Sequence, residues 1–405
     1  MKTLFAALSL TTALLATLAA AAEAEAPFAA KTVAERVAAL DALAPEFEKP
    51  ENRMALATAA TFAAVERFGQ ALYRHGFRTP RSSFVPLMRM PIPDNPNPDP
   101  LTYEAWRATL KRLVDDLEEA KHMLASLPDD SDFSLVVDLG EVRFDLDGDG
   151  ELTDAESVLS VFQAFDGGGP RRQAAEGETA PPPVFRFDRA DAYWLEGYAN
   201  FLTANARLWL AHDFSKTFDT SFTLFFPRET SADAETREWS EAAILDFISL
   251  IHTIAWPVVE PETRKAILAD MKEMTRLSRL NWQAIRAETD NDREWVPGPH
   301  QPGPHPLTSL EVTEEIVTGW HAALDAADAV LDGKALVPHM RYPGRGVNLK
   351  RYFEEGKDFD FVLTVTGPAV LPYLETGAVV DEGEWGRLTG AFGRTGITPF
   401  ALWFN

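Results

Sequence analysis

The segment from Asp191 to Asp213 constrains this chain more than any other. Tyr193, Trp194, Leu195, Tyr198, Phe201, Leu202, Leu208, Trp209 and Leu210 leave little polar surface on it. A helix that is apolar almost all round must be covered almost all round. A bilayer is not the cover, because Glu196, Asn200, Asn205 and Arg207 interrupt the run. No other segment supplies the roughly 20 uninterrupted apolar residues that a membrane-spanning helix needs. The segment is therefore expected at the centre of a bundle, with other helices around it.

Those other helices are legible too. Tyr103, Trp106, Leu110, Leu113, Leu117, Ala120 and Leu124 recur at spacings of three and four, while Lys111, Arg112, Asp115, Asp116, Glu118 and Glu119 fall off the stripe. That is an amphipathic helix with one buried face. Val33–Leu43 and Met54–Tyr73 read as two earlier, alanine-rich helices. Ala242–Trp256 and Arg264–Ile285 read as two later ones, broken at Pro257 and restarted at Pro261. Thr308-Ser309-Leu310-Glu311 has the form of a capping box that starts another.

Residues Phe133–Phe144 carry β-branched residues and partial alternation, the mark of a short strand. "DFVLTVTG" (360–367) and "ITPFALWFN" (397–405) also read as strands. The prolines of residues 86–102 impose an extended connector. Residues 166–183, "DGGGPRRQAAEGETAPPP", have the composition of a flexible loop. The expected fold is mainly α: a multi-helix bundle with a few short strands and a mixed α/β C-terminal part. Residues 25–405 would form one domain.

The first 24 residues place Lys2 before an apolar stretch, Leu4–Leu18, and then small residues. This is the order of a secretory signal peptide, with Ala-x-Ala exits at Ala22 and Ala24. A periplasmic or secreted protein is expected. The chain has no cysteine, which excludes thiolate chemistry, iron–sulfur clusters and covalent haem. Disulfides are dispensable for about 380 residues, which can bury a large core without them. The net charge of −24 repels nucleic acid and anionic membrane surfaces and attracts cations.

One stretch, "RFDLDGDGELTDAES" (143–157), points to a particular cation. Acids stand at alternate positions, Asp145, Asp147 and Asp149, followed by Gly150 and then by Glu156. With Asp145 as position 1, Glu151 is position 7, Thr153 position 9 and Glu156 position 12. This resembles the EF-hand calcium loop at each ligand position. The resemblance implies Asp145, Asp147, Asp149, Glu151 and Glu156 as ligands, Glu151 through its backbone carbonyl and Glu156 through both carboxylate oxygens. The chemistry agrees with the spacing. Calcium takes six to eight hard oxygens at about 2.3–2.6 Å. Gly150 permits the sharp turn after the third acid. Without a cation, four crowded carboxylates repel one another.

The loop also departs from the family. No second such loop exists, the segment before it reads as a strand, and a helix is expected only after it, from Asp154 to Phe165. A sensor works by swinging one helix against another. A solitary loop between a strand and a helix suits a structural staple instead. The ion expected is Ca²⁺, in a non-catalytic binding or structural protein.

A rival signal lies in "LAHDFSKTFD" (210–219). The doublet His212-Asp213 resembles the metal-binding core of the His-Asp phosphohydrolases, where both residues ligate metals that activate a water. That resemblance implies a metal-dependent hydrolase. The further histidine and aspartate the family requires are not identifiable, and a histidine at a helix C-terminus is also favoured by the dipole. The other histidines read blandly: His252 as a core residue, His300 and His305 as parts of a solvated proline-glycine loop, and His321 with Asp325 as a surface pair.

Overall fold

A computed structural model of the protein describes residues 25–78, 89–166, 182–226, 241–289, 293–301, 305, 307, 312–380 and 401. The expected leader (1–24), most of the 166–183 loop, the capping sequence at 308–311 and nearly all of 397–405 lie outside these.

Helices α1 (Val33–Leu43), α2 (Pro50–Arg74) and α3 (Tyr103–Ala125) precede a strand, β1 (Leu135–Asp138). The acidic loop follows, then α4 (Val158–Asp166), β2 (Val184–Phe187) and α5 (Arg189–Leu210). Strand β2 pairs antiparallel with β1, Leu135 opposite Phe187. Next come α6 (Ser215–Ser221), α7 (Glu241–Thr253), β3 (Ala255–Pro257), α8 (Pro261–Ala287) and α9 (Glu314–Leu331).

Helix α5 is the central element anticipated from its composition, and it packs on α8, α3 and α2. Its start is fixed by reciprocal caps: the Asp188 side chain accepts from Ala190 N, and Asp191 accepts from Asp188 N. Tyr193, Trp194, Leu195 and Leu202 are all buried. The α3 stripe of Trp106, Leu110, Leu113, Leu117 and Leu124 is buried beside it. Thr102 caps α3 by accepting from Ala105 N.

The polar residues that interrupted the α5 run are absorbed by pairing. Arg207 Nη1 lies 2.6 and 2.7 Å from the two Asp270 oxygens on α8. Its Nη2 lies 2.6 Å from Glu118 Oε1 on α3. Lys121 donates to Glu118 and to Asn200. One ionic network thus ties the three main helices together.

The C-terminal part is mixed, as expected, but differs in detail. Short strands β4 (Val337–Pro338), β5 (Gly346–Val347) and β7 (Leu374–Glu375) make one small sheet. Between them lie α10 (Leu349–Glu355), β6 (Asp358–Asp360), which pairs with β3, and α11 (Phe361–Thr366). "DFVLTVTG" is therefore not a strand beyond Asp360. The Asp360 side chain caps a helix by accepting from Leu363 N, and Gly367 stops it at φ 103°. Helix α9 starts at Glu314, capped by Thr313.

The histidines are also redistributed. His252 is exposed rather than in the core. His305 is buried rather than solvated: its ring packs on Phe185, its Nε2 donates to the Trp295 carbonyl and its Nδ1 accepts from Leu307 N. Asp325 pairs with Arg279, not with His321.

Candidate metal site

The acidic loop leaves β1 through a turn in which Asp138 Oδ1 accepts from Gly140 N. The loop ends are then zipped together: Phe144 N donates to Glu156 O, and Val158 N to Val142 O. Between these ties the chain closes a ring. Its backbone turns at Gly148 and Gly150, with φ of 77° and 88°, a region that side chains other than glycine rarely adopt.

Within the ring, acid side chains fold back onto the backbone. Asp147 Oδ1 accepts from Asp149 N at 3.2 Å, and Asp149 Oδ1 from Glu151 N at 2.8 Å. These side-chain turns wrap the backbone around a common centre. Asp145, Asp147 and Glu156 each offer a carboxylate oxygen, and the three atoms lie within 4.8 Å of one another. Asp145 and Glu156 are buried, 5% and 3% exposed. Asp145 Oδ1 is buried with no hydrogen-bond partner. A carboxylate oxygen left so is costly unless something positive meets it.

Glu156 Oε1 accepts from Leu146 N at 2.7 Å, and Oε2 from Thr153 Oγ1 at 2.7 Å. Oε2 also accepts from Thr153 N at 3.4 Å, so it is Oε1 that keeps a lone pair fully free for a metal. Asp149 is exposed and stands outside the tight group, and the Glu151 side chain is exposed as well. Of the four side-chain ligands expected from spacing, three carboxylates converge and Asp149 lies on the outer rim; the outward Glu151 side chain accords with a ligand expected through its backbone carbonyl. All the donors are hard oxygens, the set that suits calcium or magnesium rather than zinc or copper.

The exit differs from the expected helix over Asp154–Phe165. Asp154–Glu156 form a single 3₁₀ turn, Ser157 is extended at ψ 141°, and α4 begins only at Val158. The break arises because Ser157 pairs with Arg143 to close the ring.

The surroundings supply residues the sequence did not single out. Glu66, on α2, accepts from Asp145 N at 2.8 Å and pairs with Arg36 at 2.7 Å. Burial pushes its carboxyl above the ordinary value, and the nearby Asp145 adds to this against the pull of Arg36. Gln70 Nε2 donates to the Asp145 carbonyl at 2.8 Å. On the other side Leu152 N donates to Lys31 O, and Val33 N to Gly150 O. The solitary loop is therefore braced by residues 31–33 and by α2.

The His212-Asp213 doublet does not assemble into a comparable site. His212 is 1% exposed, and its Nδ1 donates to the Leu208 carbonyl at 2.7 Å. Burial lowers its pKa, against the opposing pull of the hydrogen bond to Leu208. Asp213 turns elsewhere, its Oδ1 accepting from Tyr103 Oη and Ser215 N. Among the described residues, neither belongs to a group of three or more metal-ligating side chains. A second acidic group, Asp188, Glu288 and Glu294, has comparable convergence near the start of α5; nothing in its sequence spacing marks it.

No protein-family model, curated protein or solved structure matches the chain.

Proposed function

We propose that this is an exported calcium-binding protein in which the Asp145–Glu156 loop holds one Ca²⁺ as a structural staple. Its role outside the cytoplasm is binding or structural rather than catalytic. The observation that carries the reading is Asp145 Oδ1: a buried carboxylate oxygen without a partner, on one of three converging acids. A cation bound there relieves the repulsion and supplies the missing partner.

The zipped loop ends support a staple over a sensor. A sensor needs two helices free to change their angle. Here no helix enters the loop: the strand expected over Phe133–Phe144 ends at Asp138, a turn follows, and the 3₁₀ turn is pinned to the entering chain by the Arg143–Ser157 bridge. Calcium outside the cytoplasm is met by modules with dissociation constants of about 10⁻⁴–10⁻³ M, so modest affinity suffices.

Metal analysis and titration calorimetry of the full-length protein test this reading. The expected result is one calcium per chain, with magnesium bound far more weakly. Asp145→Asn is expected to weaken calcium at least tenfold, since it removes charge at almost constant volume. No calcium binding, or equal binding by the variant, is the contrary outcome.

A further inference from the structure

Arg264, in the first turns of α8, is 2% exposed. Its Nη1 and Nη2 are buried and have no hydrogen-bond partner. A guanidinium cannot release its proton inside a protein, so this is a permanent positive charge removed from water. Other sheltered arginines here have anionic or carbonyl partners. Arg207 meets Asp270 and Glu118, Arg53 meets Glu48 and the Ser126 carbonyl, and Arg143 meets Asp154. Arg264 instead lies over the Tyr352 ring at 4.6 Å and near that of Phe353 at 6.0 Å. A ring face attracts the charge but leaves the directional N–H donors unused.

Two more polar atoms in the same neighbourhood are in the same condition. Tyr352 Oη, on α10, and Thr364 Oγ1, on α11, are buried without a geometrically sound hydrogen bond. Arg264 and Thr364 both lie within hydrogen-bonding reach of the Tyr352 hydroxyl, so the three groups face one another, but no carboxylate pairs with the guanidinium among the described residues. Gly356 closes α10 against the guanidinium, since a Cβ at that position would fall 2.0 Å from Arg264 Nη1. The acid whose charge is felt by both Arg264 and Tyr352 is Asp358, which is exposed. It makes no ion pair with Arg264 among the described residues.

Buried polar groups are almost always satisfied. Here a fixed cation and two hydroxyls, brought together from α8, α10 and α11, have one another for company and no anionic partner. A tetrahedral or planar oxyanion is the partner that a guanidinium fork and hydroxyl donors satisfy together.

We propose that Arg264, Tyr352 and Thr364 form a binding site for one small oxyanion, a phosphate, sulfate or carboxylate group. The site is separate from the acidic loop: its residues come from α8, α10 and α11, whereas the loop is braced by α2 and by residues 31–33. Binding would fasten α10 and α11 onto α8.

The test uses full-length protein without added calcium, since calcium would precipitate phosphate and sulfate, at constant ionic strength set by chloride; calcium binding of the variants is measured separately. Inorganic phosphate, sulfate and acetate are titrated separately by calorimetry and by thermal unfolding. Saturable binding of at least one of them, one per chain, is expected, and the order among the three tells which group the site takes. Arg264→Met should abolish it. Tyr352→Phe combined with Thr364→Val keeps the packing nearly unchanged, and should weaken it at least tenfold with calcium binding intact. This second variant decides the matter should Arg264→Met fail to fold. The proposal is overturned if no anion does more than chloride, or if the Tyr352→Phe/Thr364→Val protein binds as well as the unmodified one.

Discussion

Arg207→Ala is expected to destabilise the protein by about 3–5 kcal/mol, the usual cost of removing one partner from a buried ion pair. The reason is what it leaves behind. Asp270 is 4% exposed. Burial already pushes its carboxyl above the ordinary value, although Arg207 pulls it back. Without the guanidinium, Asp270 retains only Lys121 at 3.6 Å, and Glu118 loses its 2.6 Å contact. Asp270→Asn, which keeps the shape and removes the stranded charge, should cost less when combined with Arg207→Ala than the single change does. Urea unfolding of the three variants measures this. A loss below about 1 kcal/mol for Arg207→Ala, the scale of a surface pair, would mean that the network does not join the helices energetically.

The second large effect concerns Glu196, on α5. Burial, reinforced by the neighbouring Glu273 carboxylate, pushes its pKa up to about 7. The folded pKa is thus above the unfolded value near 4.5, so the folded state holds this proton more tightly. Its contribution is fully present below about pH 4.5 and is lost as pH rises through 7. At about 1.4 kcal/mol per pKa unit, the loss is on the order of 3 kcal/mol. Glu196→Gln removes the titration. The variant should match the unmodified protein near pH 4.5 and exceed it by roughly 2–3 kcal/mol at pH 8. Urea curves at the two pH values, with calcium present, provide the comparison. Parallel stability profiles for the two proteins would show that Glu196 ionises freely in the fold.

These two residues show how far the sequence could be read. Glu196 and Arg207 were visible as interruptions in an apolar helix, and the helix lies at the centre for the reason its composition demands. What was not visible was their company. Asp270 is 63 positions from Arg207, and nothing local in α8 marks it. The acidic loop behaves alike. Its spacing singles out Asp145, Asp147, Asp149, Glu151 and Glu156, and the folded loop brings the carboxylates of Asp145, Asp147 and Glu156 together, because all its turns lie within twelve consecutive residues. Glu66 and Gln70, 79 and 75 positions from Asp145, enter only through packing of α2. The misreadings have local causes. "DFVLTVTG" alternates well enough for a strand, but Asp360 and Gly367 are the caps of a one-and-a-half-turn helix. The exit from the loop is helical in composition, yet Ser157 is held extended by its bridge to Arg143. His252 lies in an apolar run on a helix whose outer side, at Leu245 and Ile248, is itself exposed. The side chains of Arg264, Tyr352 and Thr364 are separated by up to 100 residues of chain and have no motif at all.

Calcium in the loop, as proposed, should hold this fold together. The direct measurement is the thermal unfolding midpoint against free calcium, for the unmodified protein and for Glu156→Gln. A ligand that binds only the folded state adds about 2.7 kcal/mol at 100 times its dissociation constant. The midpoint of the unmodified protein should therefore climb steadily with the logarithm of calcium once the site fills. Glu156→Gln, which removes the charge of the one carboxylate expected to bind through both oxygens, should show that climb only at ten or more times higher calcium. A midpoint indifferent to calcium and to chelator, or a climb of the same size at the same concentrations in Glu156→Gln, would contradict the account.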